Sequence, residues 1–175
     1  MKTWNAENGG RKLALVAACT GMALLAACAG PRDDEEPLSS PTFERALVIL
    51  QTQAHSPDPT VRANCIEALQ VSNDPRALEI IEQGLHDKEW VVRFAAAMAA
   101  GQRKAHSLRP VINTLVTADP NFNVRVGCIY ALRRMGDLSR WGDLAVAMES
   151  KDPAVRANAA LVVGMGGDEA DQVLL

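Results

Sequence analysis

Cysteine and histidine are the residue types in this sequence most suited to chemistry, so their spacing was considered first. The four cysteines never form a Cys-x-x-Cys pair, which argues against a zinc ribbon or a thioredoxin-type site. His55, His86 and His106 each fall at or just past a predicted helix end, where a donor or cation suits the last carbonyls. We therefore expect no metal site, no cofactor and no catalytic site.

Cys28 differs from the other cysteines because it ends a long uncharged segment. Lys2, Arg11 and Lys12 precede the fifteen residues LALVAACTGMALLAA, which carry no charge. A basic start followed by a short apolar run is typical of an export signal. A helix needs about 20 apolar residues to cross a bilayer. The sequence therefore predicts a signal peptide over residues 1–27 rather than a permanent membrane span.

The residues LAAC that end at Cys28 resemble the lipobox of bacterial lipoproteins. The resemblance implies cleavage before Cys28, lipidation of its thiol and attachment to the cell envelope. Ala29 follows the cysteine, which by the same resemblance implies the outer membrane, facing the periplasm. Cys19 fits the pattern loosely, but only six apolar residues separate it from Lys12. An ordinary secretory signal cut near Ala27 or Ala29, and a cytosolic protein with a chance lipobox, remain alternatives.

Residues 28–41 are predicted to be a disordered acidic tether. They include three prolines, four consecutive acidic residues and no apolar periodicity. Thirteen residues, 29–41, at about 3.3 Å each would reach about 43 Å. The whole chain has a net charge of −3 with both signs interspersed, so no basic face is available for nucleic acid. Because 48% of positions are hydrophobic but only 4% are aromatic, the core must be aliphatic and rich in alanine.

From residue 42 onward the sequence repeats. A Val-Arg pair recurs at Arg62, Arg93, Arg125 and Arg156, at intervals of 31, 32 and 31 residues. We call these four residues the repeat arginines. Each opens a helix of small residues, and apolar residues at steps of three and four mark a second helix upstream. The sequence therefore predicts four antiparallel helical pairs in an all-α domain over residues 42–175.

Proline and glycine positions suggest where these helices begin and end. Four prolines follow an aspartate, which predicts an Asp N-cap with proline at the first helical position: Pro59, Pro75, Pro120 and Pro153. Three glycines suit C-terminal turns: Gly101, Gly136 and Gly164. The predicted helices span 42–54, 59–71, 75–85, 89–101, 107–118, 121–135, 140–149 and 153–165, with a stub at 168–175. This stub is either a cap or the start of a truncated fifth repeat.

The repeated segments resemble the HEAT-repeat family, especially the short bacterial form found in phycobilisome lyase-like proteins. The resemblance rests on four pairs of an aspartate and a repeat arginine: Asp58 with Arg62, Asp87 with Arg93, Asp119 with Arg125, and Asp152 with Arg156. It implies an α-solenoid in which these residues form a ladder between successive repeats; a row of arginines that binds an anion is the alternative. The aspartate precedes the arginine by four residues in the first and fourth repeats and by six in the others.

Cys65 and Cys128 are predicted to fill the core. Both stand three residues after a repeat arginine, where the other repeats have Ala96 and Ala159. Two helical layers apart, they would be separated by about 16–20 Å, which is too far for a disulfide. We therefore expect two buried, unpaired thiols.

The resemblance implies a non-enzymatic scaffold that binds a protein partner, with no evident small-molecule substrate. The alternative is a subunit or chaperone of a chromophore lyase-type pathway. Positions one and five after each repeat arginine are predicted to line the concave, partner-binding face. In the later repeats these positions form an apolar stripe: Phe94, Met98, Val126, Tyr130 and Leu161. Packing against the neighbouring repeat is an alternative for Phe94 and Val126.

Overall fold

The computed structural model describes residues 40–166, which fold into helices joined by short turns. These residues contain eight α-helices and one 3-10 turn, and no strand. The helices are α1 (Pro41–Gln53), α2 (Pro59–Leu69), α3 (Pro75–Leu85), α4 (Trp90–Gln102), α5 (Arg109–Ala118), α6 (Phe122–Arg134), α7 (Asp143–Met148) and α8 (Pro153–Gly166). The predicted signal peptide, Cys28 and the stub at 168–175 lie outside the described residues.

The helices form four consecutive pairs, and the pairs stack in chain order. Each odd-numbered helix packs on the even-numbered helix that follows it, and the even-numbered helices pack on one another from α2 to α8. We call α2, α4, α6 and α8 the inner helices. This arrangement is the predicted α-solenoid. Within residues 40–166, no helix is both long enough and apolar enough to span a bilayer.

Capping residues explain most of the helix starts. Asp58 and Asp74 cap α2 and α3 by accepting the amides of Thr60 and Arg76. The Asp119-Pro120 pair does not mark the start of α6 as predicted, because Asn121 caps this helix and Phe122 is its first residue, one position after the start of the predicted range 121–135. Asp119, which the Asp-Pro pattern predicted to be the cap of this helix, instead pairs with Arg93. Helix α7 is also shorter than predicted and begins at Asp143.

The core between α4 and α6 depends on close approach of the two backbones. A Cβ added at Gly101 would lie 2.8 Å from the Cα of Ala131 and 2.8 Å from the ring of Tyr130. Gly101 therefore leaves room for both residues. At the end of α6, Gly136 has a φ of +85°, the left-handed conformation expected of a C-terminal glycine. Helix α6 is the most enclosed inner helix, since residues 126–132 are all buried.

Cys65 and Cys128 are buried and unpaired, as the alanine-slot argument predicted. Burial raises the pKa of both thiols, and for Cys128 it raises the pKa to about 12. A thiolate is the reactive form of cysteine. At neutral pH both residues therefore behave as small core side chains rather than as nucleophiles.

Candidate functional site

The first repeat arginine joins the first and second repeats. Arg62 binds the carboxylate of Asp87 at two points, from Nε to Oδ2 at 2.8 Å and from Nη2 to Oδ1 at 2.8 Å. Its Nη1 donates to the carbonyl oxygens of Ser56 and Pro57, at 2.8 and 3.2 Å. Burial raises the pKa of Asp87, but hydrogen bonds from Arg62 and the amide of Glu89 outweigh this and hold the pKa below its ordinary value.

The second repeat arginine repeats this geometry one step along the solenoid. Arg93 donates from Nε to Oδ2 of Asp119 at 2.7 Å and from Nη2 to Oδ1 at 2.9 Å. The Asp119 side chain is only 2% exposed. Its Oδ1 also accepts the amide of Asn121, the residue that caps α6. The predicted pairing of aspartate with arginine between repeats is thus present at two steps, which we call the two rungs.

The spacing of the aspartates separates two roles. An aspartate six residues before a repeat arginine, Asp87 or Asp119, receives the arginine of the preceding repeat. An aspartate four residues before it, Asp58 or Asp152, accepts an amide at the start of its own helix. The expectation that Asp58 and Asp152 belong to the ladder is therefore wrong. The mixed spacing in the sequence was the signal that could have separated the two groups.

Arg125 departs from the ladder. The residue six positions before the fourth repeat arginine is Ser150, which offers no carboxylate to the preceding repeat. Among the described residues the Arg125 guanidinium has no hydrogen-bond partner, and its Nε is buried. The guanidinium carbon instead lies 4.4 Å from the centre of the Phe122 ring. The last repeat arginine, Arg156, makes no rung with a described residue either and donates to the backbone carbonyls of Ser150 and Lys151.

Arg125 lines a groove between the third and fourth repeats. We call this cavity of about 460 Å³ the Arg125 groove; its lining includes Val116, Phe122, Arg125, Ile129, Arg140, Asp143 and Val146. Arg140 donates to Asp143 at 3.3 Å, and both side chains are largely exposed. Two guanidinium groups and one carboxylate line the groove, so its lining carries an excess of one positive charge. Arg125 thus lines the groove without contributing a rung to a described residue.

Amides take the place of a rung between α6 and α8. The Asn158 side chain donates from Nδ2 to Oδ1 of Asn123 at 2.9 Å, and Asn123 is buried. This neutral hydrogen bond joins the third and fourth repeats without a charged pair.

The predicted apolar stripe is only partly exposed. Val126 and Tyr130 are 0% and 2% exposed, so the prediction that they line an open surface is wrong. The ring of Tyr130 fills the space beside Gly101, and its hydroxyl donates to Oε1 of Gln102 at 2.8 Å. Burial raises the pKa of this hydroxyl. Gly101 is the sequence feature that could have predicted this burial, because a residue without a side chain on α4 leaves room for the Tyr130 ring.

Phe94, Met98 and Leu161 have different environments. Phe94 packs against α6, where a Cβ added at Gly127 would lie 3.0 Å from its ring. Met98 is partly buried against the core. Leu161, by contrast, is 51% exposed. The open apolar surface of the stripe is therefore concentrated on α8.

Helix α8 exposes the face that α4 buries. On α4, Phe94, Ala97 and Gly101 pack against α6. The residues at the same positions of α8 are Ala157, Ala160 and Gly164, and all three are exposed. Leu161 and Met165 flank them and are 51% and 44% exposed. We call these five residues the α8 face.

The three histidines lie at or near helix ends, as predicted. His86 caps the end of α3, whereas His55 follows α1 and His106 begins the 3-10 turn before α5. Within residues 40–166, no three His, Cys, Asp or Glu side chains come together as metal ligands would.

Comparison with known proteins agrees with this architecture. The family model described as HEAT repeats matches residues 46–133, just over half of the chain. The fold is that of a helical-repeat solenoid, and the chain belongs to the HEAT-repeat family. Among curated proteins, no sequence matches the chain. HEAT repeats commonly mediate interactions between proteins, so the family indicates a helical scaffold that binds a protein.

Proposed function

We propose that this protein is a non-enzymatic scaffold, held at a membrane of the bacterial envelope by a lipid on Cys28, that binds a partner protein through the α8 face. The observation that carries the proposal is the exposure of Leu161 and Met165, two large apolar side chains one turn apart on α8.

The chemistry of the α8 face defines the partner. The three small residues leave space along α8, and a Cβ added at Gly164 would have no neighbour within 4 Å. Leu161 and Met165 supply the apolar borders of this space. Such a surface fits an amphipathic helix that lays its apolar side along α8. We therefore commit to a helical segment of another protein as the occupant.

The membrane anchor rests on the sequence. The LAAC segment ends at Cys28, and the basic and apolar residues before it provide the context of a lipoprotein signal. Ala29 after the cysteine favours the outer membrane, with the solenoid facing the periplasm. Two or three acyl chains would give stable attachment, since each buried CH₂ contributes about 0.8 kcal/mol.

Photocrosslinking in cells tests the partner surface. A photoreactive amino acid at Leu161 should give a discrete adduct with another protein, and the crosslinked residue in that protein should lie in a helix. The same group at Val48, which is similarly exposed on α1, is the matched control and should give none. An adduct with a second copy of the chain, or with residues 167–175, would contradict the proposed occupant.

Mass spectrometry and fractionation test the anchor separately. The wild-type mature protein should begin at Cys28, carry acyl chains and sediment with outer membranes. Cys28→Ser should accumulate as an uncleaved precursor, whereas Cys19→Ser should behave as wild type. A mature mass without added acyl groups would contradict the anchor and leave the partner surface unaffected.

A further inference from the structure

The Arg125 groove has the features of a ligand site that the stack itself does not use. At the two rungs, the arginine Nε donates to an aspartate at 2.8 and 2.7 Å. The corresponding Nε of Arg125 is buried and has no partner among the described residues. Nη1 and Nη2 of Arg125 are not buried and make no hydrogen bond to a described residue, so they are the donors that a ligand in the groove can reach. The preferred acceptor of a guanidinium fork is a carboxylate, which it binds at two points.

We propose that the Arg125 groove binds a carboxylate carried by an acidic residue of a partner peptide. The peptide carboxylate would accept hydrogen bonds from Nη1 and Nη2 of Arg125, whereas Asp87 and Asp119 accept them from Nε and Nη2 of Arg62 and Arg93 in the two rungs.

The walls of the groove select a peptide over a free small acid. Val116, Ile129 and Val146 are apolar, and the volume of about 460 Å³ exceeds what one carboxylate group needs. Apolar side chains beside the acidic residue would fill this space and lose contact with water. Arg125 lies against the Phe122 ring, which orients the guanidinium within the groove.

The serine at position 150 explains why this step of the stack is open to an external ligand. Asp87 and Asp119 stand six residues before a repeat arginine and complete the two rungs, whereas Ser150 stands at the same position before Arg156. Its hydroxyl accepts the amide of Asp152, as the carboxylates at the rungs accept the equivalent amide. The turn therefore keeps its local structure without supplying a carboxylate.

The experiment titrates the full chain with three probes and follows the arginine Nε–H signals by NMR. The probes are the peptide acetyl-Ala-Val-Asp-Val-Ala-amide, the same peptide with Asn in place of Asp, and sodium acetate. We expect a saturable shift of the Arg125 signal, with a Kd for the Asp peptide at least tenfold below those of the other two probes. Equal binding of the Asp and Asn peptides would overturn the carboxylate assignment. Acetate binding as tightly as the Asp peptide would assign the groove to free carboxylates and overturn the peptide.

Two substitutions and a matched control complete the test, with peptide binding followed by fluorescence anisotropy. Arg125→Gln should raise the Kd for the Asp peptide at least tenfold, and Ser150→Asp should do the same by supplying an internal carboxylate. Arg156→Gln removes the same charge from the fourth repeat, outside the groove, and should leave the Kd within twofold. An equal loss of binding in Arg156→Gln, or unchanged binding in both test variants, would overturn the site. Neither result bears on crosslinking at the α8 face. The proposed carboxylate site and the proposed partner surface can therefore be refuted independently.

Discussion

Replacing Arg93 by methionine should destabilise the solenoid far more than the same replacement at Arg125. Arg93→Met removes the two-point bond to Asp119 and leaves a carboxylate whose side chain is 2% exposed. Breaking a buried ion pair from one side costs about 3–5 kcal/mol. Arg125→Met removes no hydrogen bond to a described residue and loses only the contact with Phe122, worth about 0.5–1 kcal/mol. The two variants change the same residue type at the same repeat position.

Urea unfolding followed by circular dichroism measures the difference. The free energy of unfolding should fall by about 3–5 kcal/mol for Arg93→Met and by about 1 kcal/mol or less for Arg125→Met. The double variant Arg93→Met with Asp119→Leu should recover part of the loss, because it no longer buries an unpaired carboxylate. Equal costs for the two single variants would refute the assignment of Arg93 to a rung and of Arg125 to a free position.

Three further substitutions test separate parts of the structure. Ser150→Asp should raise the free energy of unfolding by about 1 kcal/mol, because it offers Arg125 a charged acceptor, and unchanged urea unfolding would contradict this. Gly101→Ala should lower the free energy of unfolding by about 1–3 kcal/mol or more, because the added Cβ would lie 2.8 Å from the backbone of Ala131. A melting temperature equal to that of the wild type would show that α4 and α6 approach less closely. Asp87→Asn should flatten the pH dependence of stability. The folded-state pKa of Asp87 lies below the unfolded value, so its stabilisation is present above the unfolded pKa and disappears as pH falls through the folded one. Identical acid unfolding of wild type and variant would contradict that assignment.

The sequence predicted the helical pairs well because the repeat arginines, the Asp-Pro starts and the apolar periodicity all act locally. Asp58 caps α2 as its proline context suggests, and the predicted and observed starts of the eight helices differ by at most three residues. These features depend on residues a few positions apart. Local hydrogen bonding and helical geometry therefore determine them.

Burial across repeats was harder to predict, because it depends on how the layers meet. The helical position of Tyr130 fixed which side of α6 it lies on, but its burial depends on the space left by Gly101 of the preceding repeat. Arg125 illustrates the same limit. The fourth repeat has Ser150 at the position where Asp87 and Asp119 supply the carboxylates of the two rungs. This position can be recognised only after the structure has shown which aspartates form the rungs.

The most direct test of the scaffold proposal measures how one substitution on the α8 face changes partner contact in cells. A photoreactive amino acid at Met165 reports contact, and its adduct yield is compared in the wild-type, Leu161→Asp and Val48→Asp backgrounds. We predict at least a tenfold lower yield of the partner adduct with Leu161→Asp, since a charge on the apolar border would oppose helix docking, and an unchanged yield with Val48→Asp. Equal yields in all three backgrounds would contradict the claim that the α8 face binds the partner.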